Sequence, residues 1–229
     1  MTEVKHADTT APAATRSLGS HAGPAALDVG RELMTLNWLP AGYAHRDWLG
    51  EWAAVVLPRR EASARLLMRA SRALLDRYGL RQRYLRDLGD HAWLLLPHAQ
   101  MARAAELLAV AMLGGWVRHR LERQQVALQQ RVLGPAKRSR ALDFASTLRA
   151  LPFPASGQWP VPMDGPQALF RLGASALAGM LDDESSGARE RFTMRFAKGA
   201  IMPVTLAAAQ RDEALAVIHA AATTESPGA

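Results

Sequence analysis

The sequence predicts a mainly α-helical protein: a single compact multi-helix domain with flexible N- and C-terminal tails. Several segments place apolar residues three and four positions apart, which is the spacing of one face of a helix. The alternation of apolar and polar residues that marks a half-buried strand is scarce. The 229 residues are 49% hydrophobic and 21% charged, so the chain can bury a sizeable core without disulfides or a metal ion.

The two ends of the chain differ from its middle. Residues 1–28 are poor in large apolar side chains and rich in Ala, Thr, Gly and Pro, so we expect a flexible tail. Residues 223–229 form a second polar tail, which leaves 29–222 as the helical domain. The proline-rich connection at 152–165 cannot continue a helix, and it marks the point where the domain would divide into two parts.

An aromatic-rich segment at 33–52 opens the domain. Its aromatic residues gather around Pro40 and Gly42, and they are Trp38, Tyr43, Trp48 and Trp52. We expect an ordered turn or a pair of short helices here, since a linker would not carry so many large aromatic side chains.

The first long amphipathic helix is predicted at 60–78 and ends at Gly79. Its apolar positions recur at helical spacing, and they are Ala62, Leu66, Leu67, Ala70, Leu74, Leu75 and Tyr78. Most of the arginines of this region lie between them: Arg59, Arg60, Arg65, Arg69 and Arg72.

Two further patterns precede the proline-rich connection. Residues 84–96 read as a short helix or a buried strand, ended by Pro97. Residues 99–133 have the longest helical periodicity. We expect Gly114 and Gly115 to bend or split this helix, and Gly134-Pro135 to end it.

The remaining predicted helices are 138–151, before the connection, and 167–181, 188–197 and 204–222 after it. The helix at 167–181 is rich in Gly and Ala, which suits close packing against a neighbour.

The sequence offers no catalytic, cofactor-binding or metal-binding residues. The absence of cysteine excludes disulfide frameworks, thiolate metal sites and cysteine nucleophiles. The seven histidines lack the spacing with Glu that a zinc or di-iron helix needs, and there is no phosphate-binding glycine loop or Gly-x-Ser-x-Gly elbow. The acidic cluster Asp182-Asp183-Glu184 falls between two predicted helices, where carboxylates cap helix ends. We therefore expect a protein that is not an enzyme.

The chain is basic, with a formal net charge of +7 and 28 Lys and Arg residues, all but three of them arginine. A basic-aromatic cluster of the kind that binds phosphates and stacks bases comprises Arg77, Tyr78, Arg81, Arg83, Tyr84 and Arg86. A basic helical nucleic-acid-binding regulator is therefore the alternative function. We do not expect nucleic acid as the main partner, because acidic residues interrupt the cluster and no known nucleic-acid-binding signature accompanies it.

Residues 37–49 read N-W-L-P-A-G-Y-A-H-R-D-W-L. This string resembles the N-terminal motif of the SctK family, the YscK/PscK-like accessory proteins of bacterial type III secretion systems, in which an aromatic residue, Pro, Tyr, His and Trp-Leu follow in that order. The resemblance extends more loosely over about 33–200 through Trp93, Trp116, Phe144 and the late arginines Arg189, Arg191 and Arg195. The chain departs from many relatives in having Arg46, where they have proline.

The resemblance implies a non-enzymatic adaptor of the sorting platform. Members of the family link the inner-membrane ring protein SctD to SctQ, the protein that carries the ATPase assembly. The expected partners are thus SctD-like and SctQ-like proteins, with no small-molecule substrate and no cofactor. The candidate partner-binding residues are Trp38, Tyr43, His45 and Trp48, although the same aromatic residues could instead pack into the core.

The expected location is cytoplasmic, at the inner face of the membrane and held there through partners. Residues 1–23 lack the apolar core of a signal peptide. The longest charge-free apolar run, at 107–117, is well short of the roughly 20 residues that cross a bilayer.

Overall fold

The computed structural model describes residues 29–59, 63–86, 88–151, 167–181 and 187–223, and these are mainly helical with no strand among them. The predicted mainly α-helical fold is confirmed. The tail 1–28, the connection 152–165, the cluster Asp182-Asp183-Glu184 and residues 224–229 lie outside the described residues.

The helices in chain order are α1 (Val29–Trp38), α2 (Pro40–Tyr43), α3 (Arg46–Leu49), α4 (Ala53–Val56), α5 (Ala64–Arg77), α6 (His98–Met112), α7 (Gly114–His119), α8 (Arg123–Thr147), α9 (Ala168–Met180), α10 (Ala188–Thr193) and α11 (Ala208–Thr223). Short 3-10 turns occur at Gly50–Trp52, Leu57–Arg59 and Gly89–Leu95.

The long periodic stretch predicted at 99–133 is divided. A turn at Leu113 separates α6 from α7 at the predicted glycine pair, and α8 begins only at Arg123. At Gly134 the backbone leaves the helical region, with φ 69° and ψ 170°, so the predicted break is a kink within α8. Glycine tolerates this positive φ, and Pro135 then fits the first turn of the second half because its missing N–H is not needed there.

Other element boundaries differ from the predicted ones. The strand alternative for 84–96 is wrong, since Gly89–Leu95 is a 3-10 helix. The predicted helix at 204–222 starts late, at Ala208. Val204 belongs to the segment before it, which lies against α9, and its backbone N–H donates to the carbonyl oxygen of Ser175 at 2.9 Å. The helix predicted from 60 is described from Ala64 onward, with the Ser63 hydroxyl accepting the Leu66 N–H at 3.4 Å as an N-cap.

The main core is built around α6. This helix is buried over most of its surface and packs against α9, α11 and α8. A helix surrounded by others needs apolar residues on every side, and the last six residues of α6, from Leu107 to Met112, are all buried.

The Gly- and Ala-rich composition of α9 allows it to approach its neighbours closely, as the sequence predicted. A Cβ atom at Gly173 would overlap the carbonyl group of Ala105 on α6, and one at Gly179 would overlap that of Val204. At both glycines the backbone of α9 touches the backbone of a neighbouring segment, and any side chain in place of hydrogen would force the two apart.

A second, smaller cluster holds the N-terminal segment together. Helix α5 packs on α2, and the Ser71 hydroxyl accepts the Ala41 N–H at 3.1 Å. The fully buried side chains of this cluster include Leu49, Leu74 and Leu80, and Met194 joins them from beyond α10. Residues 187–200 therefore connect the small cluster to the main core.

Helix α11 is fixed to the end of α8 by a carboxylate. Glu213 accepts the N–H groups of Arg149, Ala150 and Leu151 at distances from 2.7 to 3.2 Å. Burial alone would raise the pKa of Glu213, but these backbone donors stabilise the charged form and the net shift is downward.

None of the helices in the described ranges is both long enough and apolar enough to span a membrane.

The close approach of α9 to α6 gives a direct test. We expect Gly173→Ala to destabilise the protein by about 3 kcal/mol or more, because the added methyl group must push two buried helices apart. Gly42→Ala is the matched control, since its Cβ would meet only side-chain carbons of Leu67 at 3.8 and 3.9 Å. Urea unfolding of both variants measures the difference, and equal stability would show that α6 and α9 do not pack this closely.

Candidate functional site

The motif at 37–49 folds as the end of α1 followed by α2 and α3, and Pro40 determines how it is stabilised. In a continuing helix the carbonyl of Leu36 would accept the N–H of residue 40, but proline has none. The Tyr43 hydroxyl donates to the Leu36 oxygen instead, at 2.8 Å. The motif tyrosine thus replaces the hydrogen bond that the motif proline removes.

Asn37 ties the end of α1 to the loop after α5. Its side-chain amide donates to the Leu85 carbonyl and its side-chain oxygen accepts the Leu85 N–H, both at 2.9 Å. The Asn37 side chain is buried, so this paired hydrogen bond replaces water on both of its polar atoms.

The buried guanidinium of Arg191 joins three segments of backbone. Arg191 is only 1% exposed, and it donates to the carbonyl oxygens of Asn37 at 3.3 Å, Leu80 at 3.0 Å and Gly187 at 3.2 Å. A cation at the C-terminal end of α1 also complements the helix dipole. Burial lowers the pKa of Arg191, and the nearby Tyr43 and Glu190 oppose that shift.

Tyr43 itself is covered by a second arginine. The Arg195 guanidinium lies 5.4 Å from the centre of the Tyr43 ring and donates to the Leu94 carbonyl at 2.9 Å. Burial raises the pKa of the Tyr43 phenol, which keeps the hydroxyl protonated and able to donate to Leu36.

His45 and Trp48 attach the motif to the segment after α10. The His45 backbone N–H donates to the Met194 carbonyl at 2.6 Å, and its imidazole Nδ1 caps α3 by accepting the Asp47 N–H at 3.3 Å. The Trp48 indole N–H donates to the Phe196 carbonyl at 2.7 Å, and its ring meets that of Tyr78 edge to face at 5.4 Å. Lys198 lies over the Trp48 ring at 5.2 Å.

Trp38 has a different environment from the other three candidate residues. It is 44% exposed and its ring lies 6.0 Å from that of Tyr84. The structure therefore separates the motif into anchoring residues, Tyr43 and Trp48, a partly exposed capping residue, His45, and one aromatic residue that reaches the surface.

Beside Trp38 runs a groove of about 570 Å³ between α5 and the end of α1. Its apolar lining consists of Trp38, Leu39, Met68 and Leu75, and its basic lining of Arg65, Arg69, Arg72 and Arg81. We call it the arginine groove. Met68, at its centre on α5, is 57% exposed.

The predicted basic-aromatic cluster does not form a single patch. Arg81 pairs with Asp76 at 3.0 Å and Arg83 with Glu190 at 2.8 Å, while Arg77 lies over the Tyr78 ring and Arg86 over the Tyr84 ring. The pattern of residues in sequence grouped these arginines, but the fold directs them to different partners.

Sequence reasoning missed the roles of Arg191 and Met68. Nothing in the sequence marks Arg191 as buried, since it lies among other arginines near α10. The signal for the groove was present, because Arg65, Arg69 and Arg72 recur at helical spacing and therefore share one face of α5.

In the part of the chain that the structure describes, no group of three or more His, Asp or Glu side chains could hold a metal ion. No protein-family model, curated protein or solved structure matches the chain.

We expect Arg191→Met to destabilise the protein by about 3 kcal/mol or more, since it removes a buried guanidinium that donates to three backbone carbonyl groups. Arg191→Lys retains the charge but not the planar fork that serves three acceptors, so it should still cost about 2 kcal/mol. Arg131→Met, at an exposed position on α8, is the control and should change stability by about 0.5 kcal/mol or less. Thermal and urea unfolding measure all three. Equal stability of the Arg191→Met and Arg131→Met proteins would refute the structural role of Arg191.

Proposed function

We propose that this protein is a non-enzymatic adaptor of a bacterial type III secretion sorting platform, which bridges an SctD-like ring protein and an SctQ-like protein. The motif at 37–49 supports the proposal through its resemblance to the SctK family. The observation that carries it is the placement of Trp38: the rest of the motif anchors the segment, and Trp38 remains 44% exposed at the edge of the arginine groove.

The surface around Trp38 has the composition of a protein interface. Aromatic residues, Met and Arg are enriched where proteins bind one another, and Trp and Arg are the residues whose truncation most often costs binding energy. Trp38, Tyr84 and Met68 are all exposed here, with the arginines of α5 beside them.

The anchoring contacts favour binding as well as folding. Because Asn37 and Tyr43 fix the end of α1, Trp38 would lose little conformational freedom when a partner covers it. We propose that the protein acts in the cytoplasm at the inner membrane, held there by its partners and without a cofactor.

The alternative function, a nucleic-acid-binding regulator, draws on the stacking of Arg86 over Tyr84 at 5.4 Å. Such a basic-aromatic pair can contact phosphates and bases. It is weaker support, because Arg81 and Arg83 of the same cluster are paired with carboxylates.

The proposal is tested with Trp38→Ala and Trp48→Ala. We expect Trp38→Ala to stay folded, with a loss of about 1 kcal/mol or less, and to weaken binding of the SctQ-like or the SctD-like partner by about 2 kcal/mol, roughly 30-fold. Trp48→Ala should instead lower stability by about 3 kcal/mol, because the Trp48 indole packs on Tyr78 and bonds the Phe196 carbonyl. Co-purification and calorimetry with both partners measure binding, and unfolding curves measure stability.

The adaptor proposal fails if the wild-type chain binds neither partner at micromolar concentration. Sequence-selective binding of duplex DNA at physiological salt would then support the regulator instead.

A further inference from the structure

We propose that the arginine groove is the docking site for an acidic amphipathic helix, which places apolar side chains against Met68 and Trp38 and carboxylates against the arginines of α5. The inference rests on the proposed function only to identify the protein that carries that helix. The chemistry of the groove determines the kind of segment that fits it.

The basic side of the groove is a regular row. Arg65, Arg69 and Arg72 follow one another at steps of four and three residues along α5, so they share one face over about 10 Å. All three are exposed, and within the described ranges no carboxylate lies at salt-bridge distance from any of them. Arg81, at the other side, is already paired with Asp76.

The apolar part of the groove lining, which we call its apolar floor, is formed by Met68, Trp38, Leu39 and Leu75. Met68 is 57% exposed and Trp38 44%, and Leu39 and Leu75 complete the lining of a space of about 570 Å³. Solvent-exposed Met and Trp side chains side by side gain free energy when an apolar surface covers them. A few large apolar side chains of a partner would fill a groove of this size.

These two features together specify the occupant. Carboxylates spaced four and three residues apart on a helix would match the spacing of the arginines on α5, and guanidinium groups can bind carboxylates with two parallel hydrogen bonds. Apolar residues on the same face of that helix would cover Met68 and Trp38. A nucleic-acid duplex could bind the arginine row through its phosphates, but its bases are stacked within the duplex and would leave the apolar floor without a partner.

The end of α1, which carries Trp38, is also held in place before binding. Trp38 follows directly on Asn37, whose side chain is paired with Leu85 and whose carbonyl accepts from Arg191. Because the backbone at Trp38 is fixed, this side chain would lose little entropy when a ligand covers it.

The test uses the full chain and a fluorescein-labelled helical peptide with Glu at helical positions i, i+4 and i+7 and Leu on the same face. A peptide with Lys in place of each Glu is the charge control. We expect the acidic peptide to bind at physiological salt, to bind more weakly as salt rises, and to outbind the Lys peptide by about tenfold or more, as measured by fluorescence anisotropy.

Variants of the chain locate the site. Arg69→Glu should weaken binding of the acidic peptide by about tenfold, and Met68→Ser by about fivefold. Arg131→Glu changes the net charge as much as Arg69→Glu, but on α8, and should change binding by about twofold or less. Circular dichroism confirms that each variant is folded, which we expect because Arg69, Met68 and Arg131 are exposed.

Equal effects of Arg69→Glu and Arg131→Glu would overturn the inference, since binding would then follow net charge alone. It would also be overturned if Met68→Ser had no effect while random duplex DNA displaced the peptide, because the row would then be a phosphate site.

If the secretion partners bind wild type and Arg69→Glu equally well, the docking inference fails while the adaptor function stands. If they do not bind at all but the peptide does, the adaptor function fails while the docking site stands.

Discussion

The placement of Arg191 governs how the N-terminal segment sits on the helical core. Its buried guanidinium donates to carbonyl groups at the end of α1, in the turn after α5 and at the start of α10. A buried cation is costly to desolvate, and it is tolerated here because it donates to three backbone carbonyl oxygens, one of them at the C-terminal end of α1. The end of α1, the loop at Leu80 and the segment that bonds His45 and Trp48 are thus fixed to one another.

This constraint explains how the motif at 37–49 packs into the fold and still leaves Trp38 exposed. Pro40 removes the N–H that α1 would use to continue, and Tyr43, Ser71 and Arg191 supply hydrogen bonds around the break. The residue just before the break, Trp38, is then directed outward beside α5. The adaptor that we propose would need a surface that is rigid without being buried, and the broken helix would provide one.

Much of the fold could be predicted from the sequence, because helical periodicity and chain-breaking glycines and prolines are local signals. The end of α5 near Gly79, the break at Gly114 and the close packing of the glycine-rich α9 follow from them. The late start of α11 could not be predicted from local signals, and the segment before it makes a long-range contact in which the Val204 N–H donates to the distant Ser175 carbonyl. The burial of Arg191 is likewise a tertiary effect, because nothing in the local sequence distinguishes it from the neighbouring arginines. For the candidate site, the sequence identified the motif residues. It could not show that Tyr43 and Trp48 anchor the segment while Trp38 lies at the surface.

Hydrogen exchange of the Leu85 backbone amide, followed by NMR, tests most directly whether Arg191 and Asn37 hold the segment as one unit. This amide lies in a loop without regular structure, and it donates to the side-chain oxygen of Asn37 at 2.9 Å. If the unit is held as described, the amide will be protected in the wild type nearly as strongly as the amides of α6 and will lose that protection in Arg191→Met. Exchange in the wild type as fast as that of exposed loop amides would contradict this role for Arg191.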